Sequence, residues 1–156
     1  MRKVTVFLLF VSFFSAFNLS AQTIQTGLVE YLSHTNNGTV KLTVTMFGNK
    51  KKTIRNASDR AFHALLFEGL AKASKVKLRA PFIRYERRAK AQHSDYFQHF
   101  FDQEGYLQYL QEISSPKRTK VKGLGERKAY KFTLIINYEN LLRDLRKEGM
   151  IEKMGF

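Results

Sequence analysis

From Val40 to Met46, the apolar residues Val40, Leu42, Val44 and Met46 alternate with Lys41, Thr43 and Thr45, the period of two that gives a strand one buried and one wetter face. Leu28 to Leu32 forms a second extended run. Between the two, His34-Thr35-Asn36-Asn37-Gly38 contains an Asn-Gly step, which readily takes the positive φ angles of a hairpin turn. The fold is therefore expected to begin with a β-hairpin. From Lys50 to Leu70 the period becomes helical: Ile54, Ala57, Ala61 and Leu65 share a face, and Phe62, Leu66 and Leu70 widen it. Ala57, Ala61 and Ala64 suit close approach to a sheet, while Lys51, Lys52, Arg55, Asp59 and Arg60 are expected on the wet side.

Residues 71 to 91 are less periodic. Pro81 forces an extended or turning path, so this stretch reads as a basic connection with a short strand at Phe82 to Tyr85. Tyr96 with Phe100, and Phe97 with Phe101, are each four residues apart, which predicts a second helix over His93 to Phe101 with a buried aromatic stripe, closed by Gly105. Tyr106 to Ile113 resumes a strand-like pattern. Lys120-Val121 and Ala129 to Asn137 form a second hairpin around Gly123-Leu124-Gly125-Glu126, after which Asn137 caps a last helix carrying Leu141, Leu142 and Leu145 and stopping at Gly149. The expected class is α+β: an antiparallel sheet of about four strands with two to three helices packed mainly on one face. Neighbouring hairpins leave little room for the crossovers a parallel sheet needs.

The N-terminal pattern differs. Arg2 and Lys3 precede an apolar run from Val4 to Phe17 and a polar exit ending in Ala21, the form of an export signal cut before Gln22; the run is shorter than the roughly 20 residues of a membrane span. Residues 1–21 are accordingly expected to be a signal peptide and 22–156 a single domain in the periplasm or outside the cell. The chain has no cysteine, which excludes disulfides, thiolate nucleophiles, thiolate metal sites and a cysteine lipid anchor.

Formal net charge is +14, unevenly placed. Lys50 to Lys90 holds thirteen Lys and Arg against Asp59, Glu68 and Glu86; Lys117 to Lys131 holds seven against Glu126; the aromatic stretch between them is acidic. Such a field favours an acidic protein face or an anionic glycan or lipid. Lys50, Lys51, Lys52, Arg84, Arg87 and Arg88 are the candidate binding residues, with arginine able to hold phosphate or carboxylate through two parallel hydrogen bonds. The alternation of cations and rings over Arg79 to Arg88 also suits nucleic acid, but an exported protein rarely meets it.

Other chemistry is thinly represented. His34, His63, His93 and His99 show no i, i+4 pair that would present two ligands to one metal; His99 and Asp95 have that spacing and suit a surface hydrogen bond. No cofactor is implied. Asp95, Asp102 and Glu104 beside aromatics permit a second reading, a small glycan hydrolase using paired carboxylates. Gly123-Leu124-Gly125 precedes a strand rather than a helix, which suits a hairpin turn and not a phosphate cradle.

The junction Thr45-Met46-Phe47-Gly48, its Lys-rich continuation and the Ala-punctuated helix resemble small exported α/β modules of Gram-negative envelopes, among them the N-terminal domains of flagellar T-ring and LPP20-type proteins. The resemblance covers residues 40 to 70 and 130 to 148. It implies a structural or binding role and carries over no functional residue. The expected function is a non-enzymatic envelope protein whose basic surface binds an acidic partner.

Overall fold

Two long strands with matching apolar faces organise the chain. The computed structural model describes residues 27–47, 54–70, 72–120 and 128–151. β1 (Gly27–His34) pairs antiparallel with β2 (Thr39–Phe47), as the hairpin pattern predicts, with one irregularity between Tyr31 and Ser33. β2 in turn pairs antiparallel along its whole length with β5 (Lys128–Asn137), setting Val44 opposite Phe132, Leu42 opposite Leu134 and Val40 opposite Ile136. All six side chains are fully buried.

The free edge of β5 takes two short strands instead of one. β3 (Leu110–Ile113) pairs with Leu134 to Ile136 and β4 (Lys117–Lys120) with Lys128 to Lys131, both antiparallel. The break between them contains Pro116, which has no N–H to offer a ladder. There Ser114 substitutes: its amide donates to Thr133 O at 2.8 Å, and its hydroxyl accepts from Thr133 N at 2.8 Å. The sheet thus has five strands, one more than expected, in the order β1-β2-β5 with β3 and β4 sharing the last position. The turn at Gly123 to Glu126 lies outside the described residues.

Helices cover one face. α1 (Ile54–His63) continues through a wider π-helical turn, Ala64–Glu68, and presses Ala57, Ala61, Phe62 and Ala64 onto the sheet, each at most 1 % exposed. Arg60, expected on the wet side, instead lies along this contact, donating from Nε to Gly27 O at 2.9 Å. The opposite face of β2 also departs from expectation. Lys41 is exposed, but Thr43 and Thr45 are buried, because β2 is central and the longer Glu30 and Lys131 of its neighbours flank them; Thr43 donates to Glu30 at 3.5 Å.

The stretch 71 to 91 needs the largest correction. It contains no strand at Phe82 to Tyr85. Instead it forms a short helical turn, α2 (Val76–Arg79), and a helix, α3 (Glu86–Gln92), while the Phe82 and Ile83 amides donate to Leu65 O and Leu66 O at 3.2 and 2.8 Å. Those carbonyls end the α1 extension and would otherwise lack partners, so their need outweighs strand pairing. α4 (Ser94–Phe97) runs on through Gln98–Asp102, the helix predicted from the aromatic spacing. Its stripe is buried: Phe97, Phe100 and Phe101 are at most 7 % exposed. A 3-10 turn, Gly105–Tyr109, replaces the first half of the strand expected at 106 to 113.

α5 (Tyr138–Lys147) begins where Asn137 Oδ1 accepts from Asn140 N at 3.0 Å, the predicted cap, and buries Leu141, Leu142 and Leu145. Among the described residues no helix is long and apolar enough to cross a membrane.

Candidate functional site

The segment that caps α1 also delivers the cationic residues. Leu78 and Ile83 are buried, anchoring the chain from inside, and the backbone then carries Arg84 and Tyr85 out to the surface, where Tyr85 is 71 % exposed. α3 follows at once. Glu-Arg-Arg-Ala-Lys-Ala-Gln is made wholly of good helix formers, and its buried Ala89 holds one face against the core while Arg87 and Arg88 stay outside.

A second wall comes from the far end of the chain. Gly149, at φ 71°, lets its own amide donate to Arg146 O at 3.1 Å and the Met150 amide donate to Leu145 O at 3.0 Å, closing α5 with a left-handed turn. That turn brings Met150 and Ile151 across to α3. Between the walls lies a cleft of about 650 Å³ bordered by Phe82, Ile83, Arg84, Tyr85, Arg88, Ala89, Gln92, His93, Met150 and Ile151. The volume is within the range of small-molecule sites, roughly 300–1,000 Å³.

The cations at this cleft have no carboxylate partner among the described residues, and the reason is local. Glu86 is the only carboxylate from Gly69 to Ser94, and it turns away from the arginines. It pairs with Lys90 Nζ at 2.7 Å and His63 Nε2 at 3.1 Å. Burial pushes its pKa up, but Lys90 and His63 more than offset that and hold it below the usual glutamate value. His63 Nδ1 meets Glu68 at 3.2 Å, and Glu68 meets Arg60 at 2.7 Å, so this inner network is compensated within itself. Among the described residues no carboxylate pairs with Arg84, Arg87 or Arg88.

Of the six candidate residues, the structure therefore brings Arg84 and Arg88 into one cleft with Arg87 exposed on the same helix, while Lys50, Lys51 and Lys52 lie outside the described residues. Sequence reasoning missed Met150, Ile151, Gln92 and His93. Only the left-handed turn at Gly149 hints that the chain reverses there, and nothing in the pattern says what it meets.

The remaining polar groups are arranged differently. Glu104 pairs with Arg55 at 3.1 Å, and Arg55 also donates to Asp102 O at 2.9 Å; Asp95 accepts from Ser94 at 3.2 Å. His99 bonds Gln103 at 2.9 Å rather than Asp95, a correction to the expected pair. Tyr31 Oη lies 2.6 Å from His34 Nδ1 and 2.7 Å from Ser74 Oγ, a small polar cluster at the end of β1. Among the described residues no group of three or more His, Asp or Glu is placed to hold a metal ion.

No family model, curated protein or solved structure matches this chain. The site is thus read from its own geometry.

Asp59 provides a check on the acidic side of the molecule. Burial raises its pKa above the ordinary 3.8, with Glu104 and Asp102 pushing the same way, against the lowering influence of Tyr106 and Arg55. A folded value above the unfolded one means that the favourable term is complete below the unfolded pKa and is lost as pH rises through the folded one. Asp59→Asn should therefore gain stability relative to the parent protein at neutral pH and lose that advantage in acid. Urea midpoints of both proteins across that range measure it; an advantage that grows towards acid would contradict the assignment.

Proposed function

We propose that this protein is an exported, non-enzymatic envelope component that works outside the cytoplasm and docks an acidic partner through Arg84, Arg87 and Arg88. The observation carrying this reading is that three exposed arginines on one short segment have no carboxylate partner among the described residues, while the one nearby glutamate is held by Lys90 and His63. Unpaired guanidinium groups keep their full attraction for an anion and offer it two parallel hydrogen bonds. A N-terminal export signal and the resemblance to small envelope modules agree with a binding role in that compartment.

Glycan hydrolysis is the weaker reading. It needs two carboxylates flanking one bond, and Glu104 is engaged by Arg55. The test is retention by isolated envelope fractions. Arg84→Glu, Arg87→Glu and Arg88→Glu together should weaken retention at least about tenfold, or about 1.4 kcal/mol, and raised salt should weaken it in the unsubstituted protein. Retention unchanged by both treatments would sink the docking reading, and turnover of a wall or surface glycan would install the rival.

A further inference from the structure

Resting on that docking reading, we infer that the acidic partner is the surface of an anionic phospholipid bilayer, with a lipid phosphate held between Arg84 and Arg88 and Tyr85 seated among the headgroups. Three features of the cleft select lipid over an acidic protein or glycan.

The first is what its backbone offers. The amides of Phe82, Ile83, Ala89, His93, Gly149 and Met150 all donate within the protein, at 2.8 to 3.2 Å, so the apolar stretches Phe82–Ile83 and Gly149–Met150 offer an extended peptide no free donors to pair with. Recognition along those stretches falls to side chains.

The second is the mixture of those side chains. Arg84 and Arg88 share the cleft with Phe82, Ile83, Met150 and Ile151. A phosphate ester joined to hydrocarbon matches both kinds of wall, whereas a polyhydroxylated glycan would leave the apolar one unmatched. Arginine stems can lie along hydrocarbon while their guanidinium groups stay at the phosphate level.

The third is Tyr85. At 71 % exposure it is the most exposed of the large hydrophobic side chains among the described residues, and it follows Arg84 directly, with Glu86, held by Lys90 and His63, separating it from Arg87. A ring with an apolar body and a polar tip is the side chain that settles at a membrane–water boundary. With no membrane-crossing helix among the described residues, contact through this cleft would be peripheral and reversible.

The chain contains no tryptophan, so Tyr85→Trp introduces a single reporter at the proposed contact. Protein processed by an exporting host is mixed with vesicles of phosphatidylcholine alone and with vesicles containing equal parts phosphatidylglycerol. Sedimentation with the anionic vesicles only, together with a blue shift of the Tyr85→Trp emission, is the expected result. Arg84→Ala with Arg88→Ala should reduce that sedimentation on the order of tenfold or more, as two cations near an anionic surface imply. Inorganic phosphate at matched ionic strength should not compete, which separates a lipid surface from a free phosphate site. Equal binding to both vesicle types, an unshifted emission, or indifference to the two arginine substitutions would overturn the inference. If anionic vesicles are ignored while the triple Arg→Glu variant still loses envelope retention, the lipid assignment falls and the docking reading stands. Both arginines and Tyr85 are exposed, so each variant should keep the fold, which a thermal melt checks.

Discussion

Replacing Phe62 with alanine should lower stability by about 3–5 kcal/mol, within the range for removing a buried aromatic ring. Phe62 is fully buried, and its ring joins α1 to the aromatic block that follows α3. It is stacked on Tyr106 at 5.0 Å, meets Phe100 edge-on at 5.6 Å and lies 6.5 Å from Tyr109. α1 is thereby fastened both to the sheet beneath it and to the aromatic block built by α4 and the turn after it. Removing the ring forfeits the transfer energy of its own surface and opens a hole that three rigid rings cannot easily close. Chemical denaturation should show the midpoint falling with little change in slope, and a loss near 5 kcal/mol could exhaust the stability of a small domain. Ile54→Ala serves as the comparison: 49 % exposed on the same helix, it should change stability by only about 0.5 kcal/mol. Similar losses at both positions would mean that the aromatic junction does not hold the layers together.

Gly69→Ala is the second substitution with a large expected effect. Gly69 has φ 76°, which an L side chain rarely adopts, and an added Cβ would lie 2.3 Å from Arg79 O and 2.7 Å from Ala80 C. Those are backbone atoms that cannot swing aside. The same backbone is pinned by Leu70 N donating to Leu78 O at 2.7 Å and by the Phe82 and Ile83 amides on the end of α1. Relief would require moving the whole return segment, so a loss of about 2–4 kcal/mol is expected. The shift would reach Arg84, one residue beyond the anchored Ile83, and envelope retention should fall with stability. Gly149 offers the contrast, since its φ of 71° carries a conformational cost but nothing lies within 4 Å of an added Cβ. Gly149→Ala should therefore lose only about 1 kcal/mol. Equal melting temperatures for the two alanine variants would show that the return segment is not packed against Gly69 as described.

Both substitutions touch the line between what the residue pattern contains and what it lacks. Alternation over Val40 to Met46 and at Phe132 to Ile136 specifies two strands sharing an inner face, because side chains on a strand must point to opposite sides. Four-residue spacing of Tyr96, Phe97, Phe100 and Phe101 specifies a buried helical stripe, and Asn137 specifies a helix start through the reach of its own side chain. These are local matters, decided within one or two turns of chain. α3 was not read from the sequence: Glu86 to Gln92 are good helix formers, but with a single buried alanine they leave no apolar period to find. The strand expected at Phe82 to Tyr85 went the other way, since carbonyls some seventeen residues earlier needed those amides.

The positive charge of the segment from Lys50 to Lys90 is likewise plain in the residues, and nothing beyond them is needed to know its sign. Which cations remain available is a different question. Glu86 sits two residues from Arg84 and Arg88 alike, yet it pairs with His63, brought over from another helix, and with Lys90. Met150 and Ile151 reach the same cleft from the other end of the chain. Local sequence therefore determined the first hairpin, β5, α1, the aromatic helix and α5, the sheet's inner face and the excess of cations, because short-range sterics and burial periodicity act along the chain. The arginines without a carboxylate partner among the described residues, the apolar wall beside them and the division of the edge along β5 between β3 and β4 were settled only by tertiary contact, since charge pairing and burial depend on distances in space that residue order does not contain.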